Sequence, residues 1–165
     1  MAEKVLVVYY SLTGNTKLLA ETIAASINSD ILGIKPVKEL NPDNIMKYLW
    51  GGYQAVMSTK PKLEAFEINP LEYDVLFIGT PVWAWKHSPP INSFIKKHDL
   101  SGKKVALFTC GGDYSPKAMM RFKKAIPDGV DIIGEIQFRE GKLKEETDEE
   151  KQRVSSWAKD LLEKS

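Results

Sequence analysis

The sequence is poor in the residues that build covalent or metal-held frameworks. A single cysteine, Cys110, precludes an internal disulfide. With only two histidines, His87 and His98, a zinc site of the usual Cys/His spacing is excluded. No apolar run approaches the ~20 residues that a membrane-spanning helix needs. Charge of one sign is also scarce: 23 Lys and Arg face 22 Asp and Glu, a net +1, so the electrostatic footprint of a nucleic-acid binder is missing. The first four residues lead straight into a strand-like run without the layout of a signal peptide, which predicts a cytoplasmic protein. What is present is a chain of 165 residues, 43% apolar and 27% charged, the composition of one globular domain. A domain of this length buries roughly 70% of the surface its unfolded chain exposes, enough to fold without a staple.

Three short apolar runs punctuate the chain: Val5 to Tyr10, Val75 to Ile78 and Val105 to Phe108. Continuous runs rich in β-branched and aromatic residues suit central strands of a parallel sheet covered on both faces. Ile31-Leu32-Gly33-Ile34, stopped by Pro36, fits an edge strand, and Val130 to Phe138 fits a strand with one side toward water. Helical stripes alternate with them: Leu19, Ile23, Ile27; then Ile45 and Leu49; then Ile91, Phe94, Ile95 after Ser88-Pro89-Pro90; then Met119, Phe122, Ile126 after Ser115-Pro116; then Val154, Trp157, Leu161 after an acidic run. Five βα units predict a three-layer α/β/α sandwich whose five-stranded parallel sheet has order 2-1-3-4-5, as one domain over residues 1–165. Ala55 to Asp74 has no clear period, and its place after a helix assigns it a structural or partner role at the amino edge, away from any cofactor.

Three loops carry the chemistry. The first, Ser11-Leu12-Thr13-Gly14-Asn15-Thr16, packs three hydroxyls, an amide and a glycine into the turn before a helix. A phosphate needs many short donors on a backbone that curls closely around it, and a helix N-terminus adds free N–H groups and a favourable dipole. The spacing matches neither the P-loop nor the G-x-G-x-x-G fingerprint. The second, Gly79-Thr80-Pro81-Val82-Trp83-Ala84-Trp85-Lys86-His87-Ser88, places two of the four tryptophans two residues apart, which suits a flat ring that stacks. The third, Thr109-Cys110-Gly111-Gly112-Asp113-Tyr114-Ser115, exposes backbone N–H groups at paired glycines and adds another flat ring. In the order 2-1-3-4-5, of which flavodoxin with its FMN is the standing example, these loops come after neighbouring strands and meet at the switch point.

These loops give the chain its resemblance to flavodoxin-like proteins over nearly its whole length. The resemblance rests on Ser11-x-Thr13-Gly14-x-Thr16 after Val-Val-Tyr-Tyr, on Gly79-Thr80-Pro81-Val82-Trp83 and on Cys110-Gly111-Gly112-Asp113-Tyr114. It implies FMN as cofactor, with Ser11, Leu12, Thr13, Gly14, Asn15 and Thr16 around the phosphate. By the same resemblance, Trp83 or Trp85 covers one face of the isoalloxazine and Tyr114 the other. Thr80, Pro81, Val82, Trp83 and Ala84, with Cys110, Gly111, Gly112 and Asp113, then line the ring's polar edge. The short fifth strand fits the short-chain form. Three features depart from the family pattern. Family carriers are typically acidic, whereas Val82 to Pro90 holds Lys86 and His87 and no acid, so no acidic docking surface for a basic partner is visible there. Ala84 stands where short-chain members often have Gly at a peptide that flips toward the flavin N5, and a left-handed turn there costs an L-residue roughly 1–2 kcal/mol. Lys86-His87-Ser88-Pro89-Pro90 is similar to flavodoxin-like reductases as much as to carriers.

The leading expectation is a low-potential electron carrier between redox partner proteins, a reductase and an acceptor, needing no acid, base or nucleophile. The alternative is an NAD(P)H or quinone reductase moving two electrons; His87 would then be a proton donor or, the reading favoured here, merely a solvated loop residue. A redox-silent phosphate-binding module is disfavoured by the aromatic loops. Cys110 reads as a small buried group rather than a nucleophile, and His98 as a solvated helix-end residue. No nucleic-acid partner and no membrane span are expected, and the state is monomer or homodimer.

Overall fold

The computed structural model describes residues 2–39 and 60–165. Its order of elements is β1 Val5–Tyr9, α1 Asn15–Ile27, β2 Asp30–Gly33, β3 Val75–Trp83, β4 Lys86–His87, α2 Pro89–Lys97, β5 Lys104–Gly111, α3 Pro116–Ala125, β6 Asp131–Arg139, α4 Glu140–Glu145 and α5 Thr147–Lys164. The strands β2-β1-β3-β5-β6 lie side by side and pair in parallel, which is the expected order 2-1-3-4-5. One strand is additional: the two-residue β4, which folds back antiparallel on the end of β3 and pairs Val82 with His87 and Trp83 with Lys86. Its signal in the sequence is weak because Trp83-Ala84-Trp85-Lys86 lacks the Asn-Gly or Asp-Gly that marks a tight hairpin.

The apolar runs are continuous because both faces of the sheet are covered. Leu6, Val8, Leu76, Ile78, Val105 and Leu107 point to one side, against Ile91, Phe94 and Ile95 of α2 and Met119 and Phe122 of α3. Val7, Phe77, Ala106 and Phe108 point to the other, against Leu19 and Ile23 of α1 and Val154 and Ala158 of α5. Each Val, Leu, Ile, Phe or Met among them, fully buried, stabilises the fold by about 1.5–3 kcal/mol. The helical stripes are the ones the spacing requires: Leu19 and Ile23 recur at i+4, and α2 starts on Pro89, whose fixed φ suits the first turn. Gly79 faces Phe108 across the β3–β5 ladder, and a Cβ there would lie 2.1 Å from the Phe108 ring. The absence of a side chain at Gly79 leaves room for the fully buried Phe108 ring at the sheet centre.

The acidic run lies at the start of α5, as expected, and the short α4 before it is an additional helix. The stripe of Ile45 and Leu49 and the start of the Ala55 to Asp74 segment lie outside the described residues. The rest of that segment packs as structure, but its residues 62–64 pair with residues 35–37 just past the carboxyl end of β2, not at the amino edge where they were expected. Val37 N–H donates to Lys62 O and Glu64 N–H to Lys35 O, each at 2.8 Å, while Leu63 enters the core and Phe66 and Ile68 pack against it.

Candidate functional site

The carboxyl ends of β1, β3 and β5 lie next to one another, so the turns leaving these three strands share one edge of the sheet. Much of what sequence assigned to the second and third loops is strand. β3 runs on to Trp83 and β5 to Gly111, leaving two short connections, Ala84-Trp85 and Gly112 to Ser115.

After β1, the chain turns through Ser11, Leu12, Thr13 and Gly14 into α1. Gly14 has φ 99°, a left-handed value that suits glycine, and its N–H donates to Ser11 Oγ at 3.1 Å. Gly14 stands at the N-cap and has no side chain to cap α1, so among the described residues donors of the first turn are left for another partner. A Cβ at Gly14 would meet nothing within 4 Å, so the turn opens outward. Asn15 Nδ2 lies 3.4 Å from Thr13 Oγ1, Thr13 is exposed and Thr16 is buried. Leu12 leans on the core instead of the opening.

Between the two short connections lies a cleft of about 340 Å³ lined by Val82, Ala84, Trp85, Gly112, Asp113, Tyr114 and Ser115. Trp85 and Tyr114 are 62% and 45% exposed, so two large rings stand at this cleft largely uncovered. Trp83 is directed elsewhere. It meets Tyr10 edge-on at 5.8 Å and packs on the α2 side of the core, so of the two tryptophans only Trp85 borders the cleft.

Three further residues expected at the site do not open into it. Thr80 is buried: its hydroxyl donates to Pro81 O at 2.9 Å, accepts from Ser88 N–H at 2.9 Å and lies 3.0 Å from the Ser88 hydroxyl. Pro81 is likewise buried in β3. Cys110 belongs to the core facing α5 beside Phe138 and Val154, and burial, aided by Glu140 and Glu150, pushes its thiol up to about 12. Gly111 is held close, since a Cβ there would lie 2.9 Å from Val82 Cβ. Gly112, in contrast, meets open space.

The hairpin tip is strained. Ala84 and Trp85 have φ 41° and 59°, consecutive left-handed L-residues, as a two-residue hairpin turn requires. Arg121 of α3 holds it, donating from Nη1 to Trp85 O at 3.0 Å, and Lys117 Nζ sits 5.9 Å from the Trp85 ring centre. His87 is half-buried rather than a solvated loop residue. Its ring stacks on Phe122 at 5.3 Å, its Nε2 lies 3.2 Å from Asn92 Oδ1, and its buried Nδ1 has no partner among the described residues. Burial therefore lowers its pKa. His98 is half-buried too, with its Nδ1 2.9 Å from Phe94 O and its ring against Phe94 and Phe66.

Sequence reasoning missed the residues that brace the other wall. Gln137 Oε1 accepts from Ser115 N–H at 2.8 Å, and Ser115 Oγ in turn accepts from Ala118 N–H, starting α3. Arg139 Nε lies 3.3 Å from Asp113 Oδ1 and its guanidinium 5.7 Å from the Tyr114 ring centre. Arg153 donates to Gln137 O at 2.8 Å, covers Phe138 at 4.1 Å and pairs with both oxygens of the buried Glu150. The position of Gln137 and Arg139 at the carboxyl end of a strand was the available signal. No group of His, Cys, Asp and Glu among the described residues could hold a metal ion, and no described helix is long and apolar enough to cross a membrane.

A family model described as Flavodoxin matches residues 4–161. A flavodoxin-like domain-containing protein, BilS of Clostridioides difficile (strain CD3), is 30% identical over 86% of this chain and 68% of its own. A flavodoxin of Maridesulfovibrio salexigens is 24% identical over 98% of both chains. In three dimensions the chain is similar to a flavoprotein of Lactobacillus acidophilus NCFM solved in complex with FMN. The TM-score is 0.67 at 23% identity, over 87% of this chain and 98% of that one.

Proposed function

The chain belongs to the flavodoxin family, and from that premise we propose that it binds FMN and carries electrons between redox partner proteins. One observation carries the reading: a polar turn at an uncapped helix start and a cleft bordered by two exposed aromatic rings occupy the same edge of one sheet. The donor set fits the cofactor. Ser11, Thr13, Asn15 and Thr16, with N–H groups of the α1 start, would hold a phosphate without a lysine. Trp85 and Tyr114 would flank the isoalloxazine, and the missing side chain at Gly112 leaves its backbone accessible to the ring edge. FMN, when bound, supplies one- and two-electron chemistry that amino-acid side chains lack.

The chain's own work is then to bind, orient and dry the cofactor. Gln137 and Arg139 fix one wall of the cleft, and Arg121 fixes the other. The titratable side chains lining the cleft are Asp113 and Tyr114, and Asp113 is engaged by Arg139. His87 faces Phe122 and Asn92 outside it. With Asp113 paired and Tyr114 the other titratable group on the described lining, the cleft favours electron transfer over a reaction that must deliver protons to a substrate.

Fluorescence titration of the ligand-free protein with FMN tests the site. The Thr13→Ala/Thr16→Ala double variant should bind about tenfold or more weakly, a loss of ~1.4 kcal/mol. Unchanged affinity would overturn the phosphate assignment. Anaerobic stepwise reduction tests the role. A distinct visible spectrum at half-reduction supports the carrier. A simple mixture of oxidised and fully reduced spectra, with turnover of NAD(P)H or a quinone, supports the reductase.

A further inference from the structure

The near-neutral total charge conceals a strong segregation. Residues 82–98 and 114–127 together hold seven of the chain's 23 lysines and arginines and none of its 22 acids. The fold brings these two stretches together as the β3–β4 hairpin, α2 and α3, with His87 stacked on Phe122 and Arg121 bonded to Trp85. Helical spacing puts Lys117, Met120, Arg121 and Lys124 on one stripe of α3, on the side away from the buried Ala118, Met119 and Phe122. Among the described residues, Lys86, Lys117, Arg121 and Lys124 form no ion pair. In their midst stand two exposed apolar side chains, Trp85 and Met120, the latter 47% exposed. A cleft of about 370 Å³, lined by Lys86, His87, Pro89, Asn92 and Arg121, opens beside them with two cations and no acid on its walls.

Exposed Trp and Met within a ring of Arg and Lys is the composition of a protein-docking centre, and a uniform sign of charge selects the partner's sign. We propose that the surface formed by the β3–β4 hairpin and α3 docks an acidic redox protein, with Trp85 and Met120 at its apolar centre and the Arg121 cleft receiving a partner carboxylate. This rests on the electron-carrier reading for its purpose but on charge and packing for its location. The hairpin tip belongs both to this surface and to the aromatic cleft, so a partner seated here lies against the Trp85 wall of the proposed flavin site. Arg121 reaches both, holding Trp85 O while lining the cleft.

The test is an NMR titration of the 15N-labelled full chain, loaded with FMN, with an acidic plant-type [2Fe–2S] ferredoxin as probe. Amide signals of residues 85–87 and 117–124 should broaden or shift at 20 mM NaCl, with affinity falling about tenfold or more at 300 mM. The Lys117→Glu/Lys124→Glu variant should weaken binding by a similar factor, and the milder Lys117→Gln/Lys124→Gln by less. Amide spectra of both variants alone check that they fold. Perturbation of other surfaces, binding indifferent to salt, unchanged affinity in both variants, or capture of a basic cytochrome c on this face would each overturn the proposal. The parent reading fails separately. A chain that takes up no FMN yet places ferredoxin on this face loses its carrier role and keeps its docking surface.

Discussion

Replacing Ala84 by glycine should stabilise this protein, although it removes a methyl group and adds freedom to the chain. Ala84 and the residue after it both have positive φ because two residues alone must reverse β3 into β4. A left-handed conformation costs an L-residue about 1–2 kcal/mol, which glycine avoids. Glycine's greater freedom in the unfolded chain takes back about 0.4–1 kcal/mol. Taking the middle of each range, the difference is a net gain of about 0.8 kcal/mol, or a rise in Tm of about 2–3 °C for a chain of this length. Urea unfolding of the ligand-free protein reads it directly, provided the m-value stays constant. Ala84→Val is the counterpart: a β-branched residue at positive φ should lose more than ~1 kcal/mol. If Ala84→Gly proves neutral or destabilising, or if Ala84→Val is tolerated, the turn does not hold the strain ascribed to it.

Gly79→Ala should destabilise by about 2–4 kcal/mol, because its Cβ would collide with a Phe108 ring that is fully buried and has nowhere to turn; thermal unfolding monitored by circular dichroism measures it. His87 has a folded pKa below 6.5, so between that value and 6.5 the unfolded chain binds more protons than the folded one. Its contribution is fully present above pH 6.5 and declines as pH falls through this window, so the difference in stability between pH 7.5 and pH 5.5 should shrink in His87→Gln. Urea midpoints at the two pH values decide this. With its thiol at about 12 and buried, Cys110 should resist a thiol-modifying disulfide reagent at pH 8 in the native protein, while unfolded protein should react with one equivalent.

The sheet was legible because its central strands are buried on both faces, so Val5 to Tyr10 and Val75 to Ile78 read as unbroken apolar runs. The three site segments were legible through their residue types. Directions of side chains were not. Trp83 and Trp85 are alike in sequence, yet a reversal of the chain between them sends one to the core and leaves the other at the cleft. Sequence put Thr80 and Cys110 at the site, whereas strand pairing carries on past them and turns their side chains inward. His87 and His98 looked solvated because each comes directly after a lysine, but the rings Phe122 and Phe94 that cover them come from packing that no local pattern reports. Gln137, Arg139 and Arg153 escaped notice because their partners are other segments' backbone and charge.

The buried hydrogen bonds between Thr80 and Ser88 have a consequence for how this edge of the molecule can change over evolutionary time. They fasten the two ends of a nine-residue excursion to each other at its base. Whatever happens at the tip, the entry into α2 is already fixed by the fastening below it. Residues 83–86 can therefore accept new side chains, or a different turn, without disturbing the helix beyond. That part of the chain is a replaceable head on a fixed handle. Relatives with the same scaffold could exchange it to suit a different partner, while the polar turn after β1 stays as it is.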